Sequence, residues 1–243
     1  MRMFSMDNPK AAKAVKYGWL NAIHYMAPAR VAGVGNLCPH ASDGCKALCL
    51  GEHSGNAALY PSVMRSRIAK ARLFMSDRQS YMSELVKQIE AAQRHARRAN
   101  LSLCVRLNGS TDIAWEGLRC GDHQNLMAAF PDIQFVDYTK SVKRALAFAR
   151  GNWPLNYHLT FSRSESNEAD CLRVLEAGVN VAAVFANAFP RTYLNRPTFS
   201  GDEHDLRHLD MDRRCSPTGK GFVVALTPKG RKAKADTSGF VIR

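Results

Sequence analysis

The chain alternates short β-rich runs with helical stretches, and this alternation constrains its fold more than any other feature. The runs are "WLNAIHYMAP" (Trp19 to Pro28), "LSLCVRL" (Leu101 to Leu107), "IQFVDY" (Ile133 to Tyr138), "YHLTFS" (Tyr157 to Ser162), "VNVAAVF" (Val179 to Phe185) and "GFVVALT" (Gly221 to Thr227). Between the first two, residues 57–100 carry apolar side chains at helical spacing, and Ser76-Asp77 is placed to cap a second helix there. "SVKRALAFAR" and "SNEADCLRVLEAG" separate later runs; Leu172, Val174 and Leu175 give the latter an apolar face, and Gly178 stands where a left-handed C-terminal cap belongs. Strand, helix and strand in succession call for parallel pairing through right-handed crossovers. The expected fold is α/β: one domain over residues 1–243, forming a partial or full (β/α) barrel with mainly parallel strands. The polar stretch 196–220 has no evident place in it.

In such sheets, sites form at the C-terminal ends of the strands. Polar residues gather there: a cysteine-rich loop over residues 36–55 after the first strand, then "NGSTD", "DYTK", "SRSES" and "ANAFPR" after the next four. The loop "NLCPHASDGCKALCLGEHSG" holds three of the chain's seven cysteines, Cys38, Cys45 and Cys49, spaced C-x6-C-x3-C. Cys45 and Cys49 share one face if "CKALCL" forms a helical turn, because residues four apart are neighbours. Three thiolates can hold three irons of a 4Fe-4S cubane and leave the fourth open to a substrate or cofactor; alternatively they bind zinc with His40 or His53 as fourth ligand. Cys104 and Cys171 fall inside apolar patterns and read as core, while Cys120 or Cys215 could supply a further ligand.

Nothing in the sequence resembles a signal peptide or an apolar run long enough to span a membrane, so no membrane partner and a cytoplasmic location are expected. An odd number of cysteines in a reducing compartment argues against structural disulfides. Lys plus Arg exceed Asp plus Glu by 34 to 21, a net charge of +13, with clusters "RSRIAKAR", "RHARR", "KSVKR" and a basic C-terminal segment over residues 220–243. Such an excess points to a nucleic acid or nucleotide partner, because phosphate contacts release counterions.

Four further stretches offer site chemistry. In "RLNGSTDIAWE", Gly109 permits a close backbone approach, and Asn108, Ser110 and Asp112 offer donors and acceptors to an amino-acid or ribose moiety. "DYTK" supplies Lys140, and "TFSRSES" supplies Ser162, Arg163, Ser164 and Glu165; Lys140 and Arg163 are candidate anion clamps. In "SGDEHDLRHLD", Asp202, His204 and Asp205 could ligate a divalent cation for phosphodiester cleavage.

These segments together resemble a family of phage and plasmid proteins known as the Gene 88 protein family. Its members share the patterns that here read "CPHASDGCKALCL", "RLNGSTDIAWE", "VDYTK", "LTFSRSES", "SGDEHDLRHLD" and "TPKGRKAKADTSGF". The likeness covers most of the chain and implies a host-cytoplasm location if phage-encoded, but no particular activity. More remotely, the position and number of Cys38, Cys45 and Cys49 are similar to those of radical S-adenosylmethionine enzymes, which differ in using C-x3-C-x2-C. That similarity implies a bound S-adenosylmethionine, its methionine amino group near Asn108 to Asp112.

The resulting expectation is an iron-sulfur protein, of radical S-adenosylmethionine-like type, acting on a nucleotide or nucleic acid. In it Cys38, Cys45 and Cys49 hold the metal; Asn108, Gly109, Ser110, Asp112 and Ser162 hold the cofactor; Lys140 and Arg163 neutralise carboxylate or phosphate. The alternative is a non-catalytic nucleic-acid-binding protein whose loop is stapled by zinc or a cluster.

Overall fold

The computed structural model describes residues 1–7 and 9–243. Its ten strands are β1 (Phe4–Ser5), β2 (Trp19–His24), β3 (Ser102–Arg106), β4 (Gln134–Thr139), β5 (Tyr157–Ser162), β6 (Val181–Phe185), β7 (Thr192–Tyr193), β8 (Arg196–Ser200), β9 (Val223–Leu226) and β10 (Val241–Ile242). The helices are α1 (Pro9–Val15), α2 (Asp43–Ala47), α3 (Leu50–His53), α4 (Gly55–Leu59), α5 (Pro61–Ser76), α6 (Arg78–Arg98), α7 (Leu126–Ala129), α8 (Val142–Ala149), α9 (Glu168–Glu176) and α10 (Gly230–Lys234).

All strands join one sheet, in the order β1-β2-β3-β4-β5-β6-β9-β8-β7, with β10 also on β6. Only the outermost pairs, β1 with β2 and β7 with β8, are antiparallel; the rest run parallel, as the crossover pattern requires. β5 pairs with Val181 and Ala182, and β10 with Val184 and Phe185, so β10 continues that side of β6 past the end of β5.

The sheet is open, which corrects the closed form of the expected barrel: β1 and β7 are edges, and no pairing joins them. The gap is spanned by side chains. The segment after β8 lies against the beginning of the parallel sheet, with the Tyr17 and His204 rings 4.6 Å apart and Trp19 and His208 4.5 Å apart. Lys13 Nζ donates to the Asp202 carbonyl. Residues 201–212, part of the stretch the sequence left unplaced, thus reach from β8 towards the β2 side and lie over β4 and β5, with Leu206 packed beside Cys104 and Val136; apart from their link to the end of β9 they add no strand to the ladder.

The helices cover the other face. α6 buries Tyr81, Leu85, Ile89, Ala92 and Ala96, spaced by three or four residues, with Met82 beside them, against Leu103, Val105 and Phe135 of the sheet. Asp77 caps it by accepting the Ser80 amide at 3.0 Å. A second cluster joins Val174 and Leu175 of α9 and Ala145 of α8 to Phe161, Val181, Ala183 and Val223. Cys104 and Cys171 are fully buried. Among the described residues no helix is long and apolar enough to cross a membrane. The basic segment 220–243 is folded: it forms β9, α10 and β10.

Candidate functional site

The loops at the C-terminal ends of β2 to β5 and β9, with Ala182 and Val184 of β6 itself, surround one cavity of about 450 Å³. Cys38, Cys45, Cys49, Asn108, Gly109, Ser110, Asp112, Lys140, Ser162 and Arg163 all line it, so residues spread over more than 120 positions meet in one place. Arg106 and Tyr138 line it from the sheet, the guanidinium 4.6 Å from the Tyr138 ring centroid, and Phe240 lines it from the C-terminal segment. Cys120, Cys215, His40 and His53 do not line it.

Each thiol is held by a different neighbour. The Ala29 amide donates to Cys38 Sγ at 3.3 Å, and the Cys38 thiol points at the Ser110 carbonyl, 3.7 Å away. Cys45 lies in the single turn of α2, whose first residues meet the Glu165 carboxylate. Cys49 precedes α3, which is fastened from α5 by Arg67 donating to the Gly51 carbonyl. Gly51 packs so closely on the Ser110 loop that a Cβ there would lie 2.5 Å from Ser110 Cβ.

Burial pushes the Cys38 thiol up to about 12, and nearby Cys49, Asp112 and Cys45 push the same way. Cys49 is raised by burial and by Cys45. Cys38 and Cys49 are therefore near enough to feel each other's charge and that of Cys45, and these two are protonated at neutral pH until a cation compensates them. Among the described residues no three His, Cys, Asp or Glu side chains are grouped closely enough to hold one ion. All seven cysteines are unpaired. By type the three are donors for a thiophilic metal, and they line one cavity without being gathered round a common point.

The "NGSTD" side chains are committed to building their own loop. Asn108 Oδ1 accepts from the Thr111 hydroxyl, the Ile113 amide and Trp115 Nε1, and its Nδ2 donates to the Ile113 carbonyl and Asp137. Ser110 Oγ donates to the Met26 carbonyl at 2.6 Å. Asp112 accepts from Arg144 Nη1 at 2.6 Å and from the Lys140 amide at 2.9 Å. The close approach that Gly109 permits is to the backbone of β2: a Cβ would sit 2.4 Å from the His24 carbonyl oxygen.

Behind this loop Arg144 is enclosed by Glu116, Asp112, Thr139 and Tyr157, and Tyr157 also reaches Asp137. Asp137 is 1% exposed, and burial raises it to about 7 even though it accepts the Asn108 amide.

Arg163 Nη1 donates to the carbonyls of Gly239 and Phe240, and the Phe240 ring lies 5.5 Å from Lys140 Nζ. The two expected anion clamps are thus tied to the C-terminal segment. The Nε atoms of Arg106 and Arg163 are buried without a hydrogen-bond partner.

Asp202, His204 and Asp205 line the same cavity without forming a cation site. Asp202 faces Lys229 at 3.2 Å and accepts the Thr227 amide, while His204 accepts the Leu206 amide. Sequence reasoning missed the C-terminal wall and the grip of Glu165 on the thiol loop; the only signal for the latter was an acid in a serine-rich strand-end loop.

No curated protein and no solved structure matches the chain. Residues 2–243 match the model of the family described as Gene product 88. The match takes in the whole sheet and every loop that frames this cavity: the chain belongs to the Gene product 88 family.

Proposed function

We propose that the cavity binds a metal centre through Cys38, Cys45 and Cys49, a 4Fe-4S cluster in preference to zinc, together with a nucleotide-sized anionic ligand. On this reading the protein is an iron-sulfur enzyme of radical S-adenosylmethionine-like type. The observation that carries it is that three cysteines and the cations Lys140 and Arg163 line one cavity of about 450 Å³ at the C-terminal ends of parallel strands. That volume lies in the range of small-molecule sites, roughly 300–1,000 Å³.

A three-thiolate set suits a cubane, because zinc needs a fourth donor and the histidines of the loop lie off the cavity. When bound, a cluster held at three irons supplies one open iron and a one-electron donor. The chain's own residues do the rest. Lys140 and Arg163 neutralise a carboxylate or phosphate, and the Arg106 guanidinium adds a third positive charge to the lining. Val184, Leu226 and Phe240 present an apolar surface to the ligand's body. Asn108, Ser110 and Asp112 shape the loop beside it, so their part is positioning, with backbone groups of residues 108–112 facing the ligand.

The test is anaerobic purification followed by iron, sulfide and zinc analysis and a visible spectrum. The reading expects a brown protein with about four irons per chain, lost when the three cysteines are changed to alanine. A colourless protein free of iron when handled without oxygen overturns the cluster, and one equivalent of zinc replaces it with the staple.

One observation favours a second reading, nucleic-acid binding without turnover: α6 exposes Lys87, Arg94, Arg97 and Arg98. It expects affinity for DNA or RNA that falls steeply with salt and survives loss of the cysteines.

A further inference from the structure

We infer that Glu165 is the positioning residue of the thiol loop: it fixes the turn that presents Cys45 to the cavity. The inference rests on the reading of Cys45 as a metal ligand and adds a residue to it.

α2 has five residues, too few to hold its own shape, since helix nucleation costs more than one turn of hydrogen bonds returns. Its geometry must come from outside. Ser42 caps it with extended backbone (φ −70°, ψ 171°), its Oγ accepting the Cys45 amide at 3.2 Å. The Ser42 hydroxyl donates in turn to Glu165 Oε2 at 2.8 Å, and the Gly44 amide donates to Glu165 Oε1 at 2.8 Å. One carboxylate therefore gathers the Ser42 hydroxyl and the Gly44 amide ahead of Cys45, and charge-assisted bonds of this kind are about twice as strong as neutral ones.

The junction is built for glycine. A Cβ on Gly44 would lie 2.7 Å from Glu165 Oε2 and 2.8 Å from Ser238 Oγ. Glu165 itself is held firmly: in the β5–α9 loop, Asn167 accepts the Ser164 amide at 2.6 Å and donates to the Ser162 carbonyl at 3.1 Å. The same loop sends Arg163 to the C-terminal segment. The loop after β5 thereby sets the distance between the Cys45 turn and the opposite wall of the cavity.

The experiment compares wild type, Glu165→Gln and Glu165→Ala, each confirmed folded by its melting transition. One measurement is the rate at which iodoacetamide labels Cys45 and Cys38 in metal-free protein, read by mass spectrometry. The other is retention of iron against a chelator after anaerobic reconstitution. Glu165→Ala is expected to speed labelling of Cys45 about tenfold and leave Cys38 unchanged, and to weaken iron retention about 10–100-fold, as loss of an outer-shell partner does. Glu165→Gln keeps one acceptor for the Gly44 amide and is expected to fall between; it carries the test if the alanine variant does not fold.

Wild-type labelling of Cys45 in both variants overturns the inference, whatever the metal content. Selective labelling of Cys45 in a protein that never takes up metal supports the positioning role and removes the metal reading instead.

Discussion

Arg144 lays its guanidinium along the Glu116 carboxylate, with Nε 2.5 Å from one oxygen and Nη2 2.8 Å from the other, both side chains almost wholly buried. Its remaining nitrogen reaches Asp112, which in turn accepts the Lys140 amide, so one fork joins the loops after β3 and β4. Removing one partner of such a pair leaves the other buried and uncompensated. Arg144→Ala is expected to lose about 3–5 kcal/mol of stability, read as a lower urea midpoint. Arg144→Lys is expected not to rescue it, because an ammonium cannot make the two parallel bonds. A midpoint within error of wild type would refute the bridging role.

Gly51 tests the packing of the thiol loop on the "NGSTD" loop. An alanine Cβ would meet Ser110 Cβ at 2.5 Å, and a Cβ is no flexible tip that can swing aside. Gly51→Ala is expected to cost about 1–3 kcal/mol, as overpacking does, and to lower metal retention. Gly117→Ala serves as control: no atom lies within 4 Å of its Cβ position, and its melting temperature should hardly move.

The buried titrating groups give a pH prediction with opposing signs. Burial lowers His24 to about 3 and His158 and His208 to about 4, whereas the unfolded imidazole titrates near 6.5. Below pH 6.5 the unfolded chain therefore binds up to three more protons through them, and stability falls as the pH drops towards 4. Burial raises Asp137 and Asp210 to about 7, so over the same window the folded chain holds two protons that the unfolded chain releases, and stability rises as the pH drops. Three imidazoles outweigh two carboxyls, so the net is about one proton and stability is lost on acidification between pH 6.5 and 4. Asp137→Asn should steepen that slope towards two protons, measured by urea unfolding at several pH values; an unchanged slope would show that Asp137 is ionised in the folded protein.

Lys140→Met leaves the backbone bond to Asp112 in place and removes one cation from the cavity. The contact of Lys140 with Phe240 is worth about 0.5–1 kcal/mol, so the fold should survive. Titration with a nucleotide should show affinity reduced about tenfold, equivalent to about 1.4 kcal/mol, with a shallower salt dependence. Equal affinity would take Lys140 out of the ligand site.

The parallel core was legible because β2 to β6 are apolar runs separated by helices, a pattern that leaves few topologies open, and β9 is a further run of the same kind. β8 was not: "RPTFS" begins with a charge and a proline, its exposure follows no alternation, and only pairing with β7 and β9 makes it a strand. The open edge was equally hidden, since no local signal distinguishes a loop that bridges a gap from a strand that closes it. The residues singled out in the sequence meet in one cavity, and the side chains of some are bonded into the fold around it. Asn108 and Asp112 carry ligand-like chemistry, yet their partners are Trp115, Arg144 and the backbone around them. Glu165 acts on Gly44 across 121 positions, a relation no local pattern encodes.

Because the walls of the cavity are drawn from residues as far apart as Ala29 and Phe240, no contiguous fragment of the chain contains it. Contacts of such long sequence separation form late in folding, after loop-closure entropy has been overcome. The cavity is therefore a property of the completed fold, and a nicked or partly folded chain would lack it.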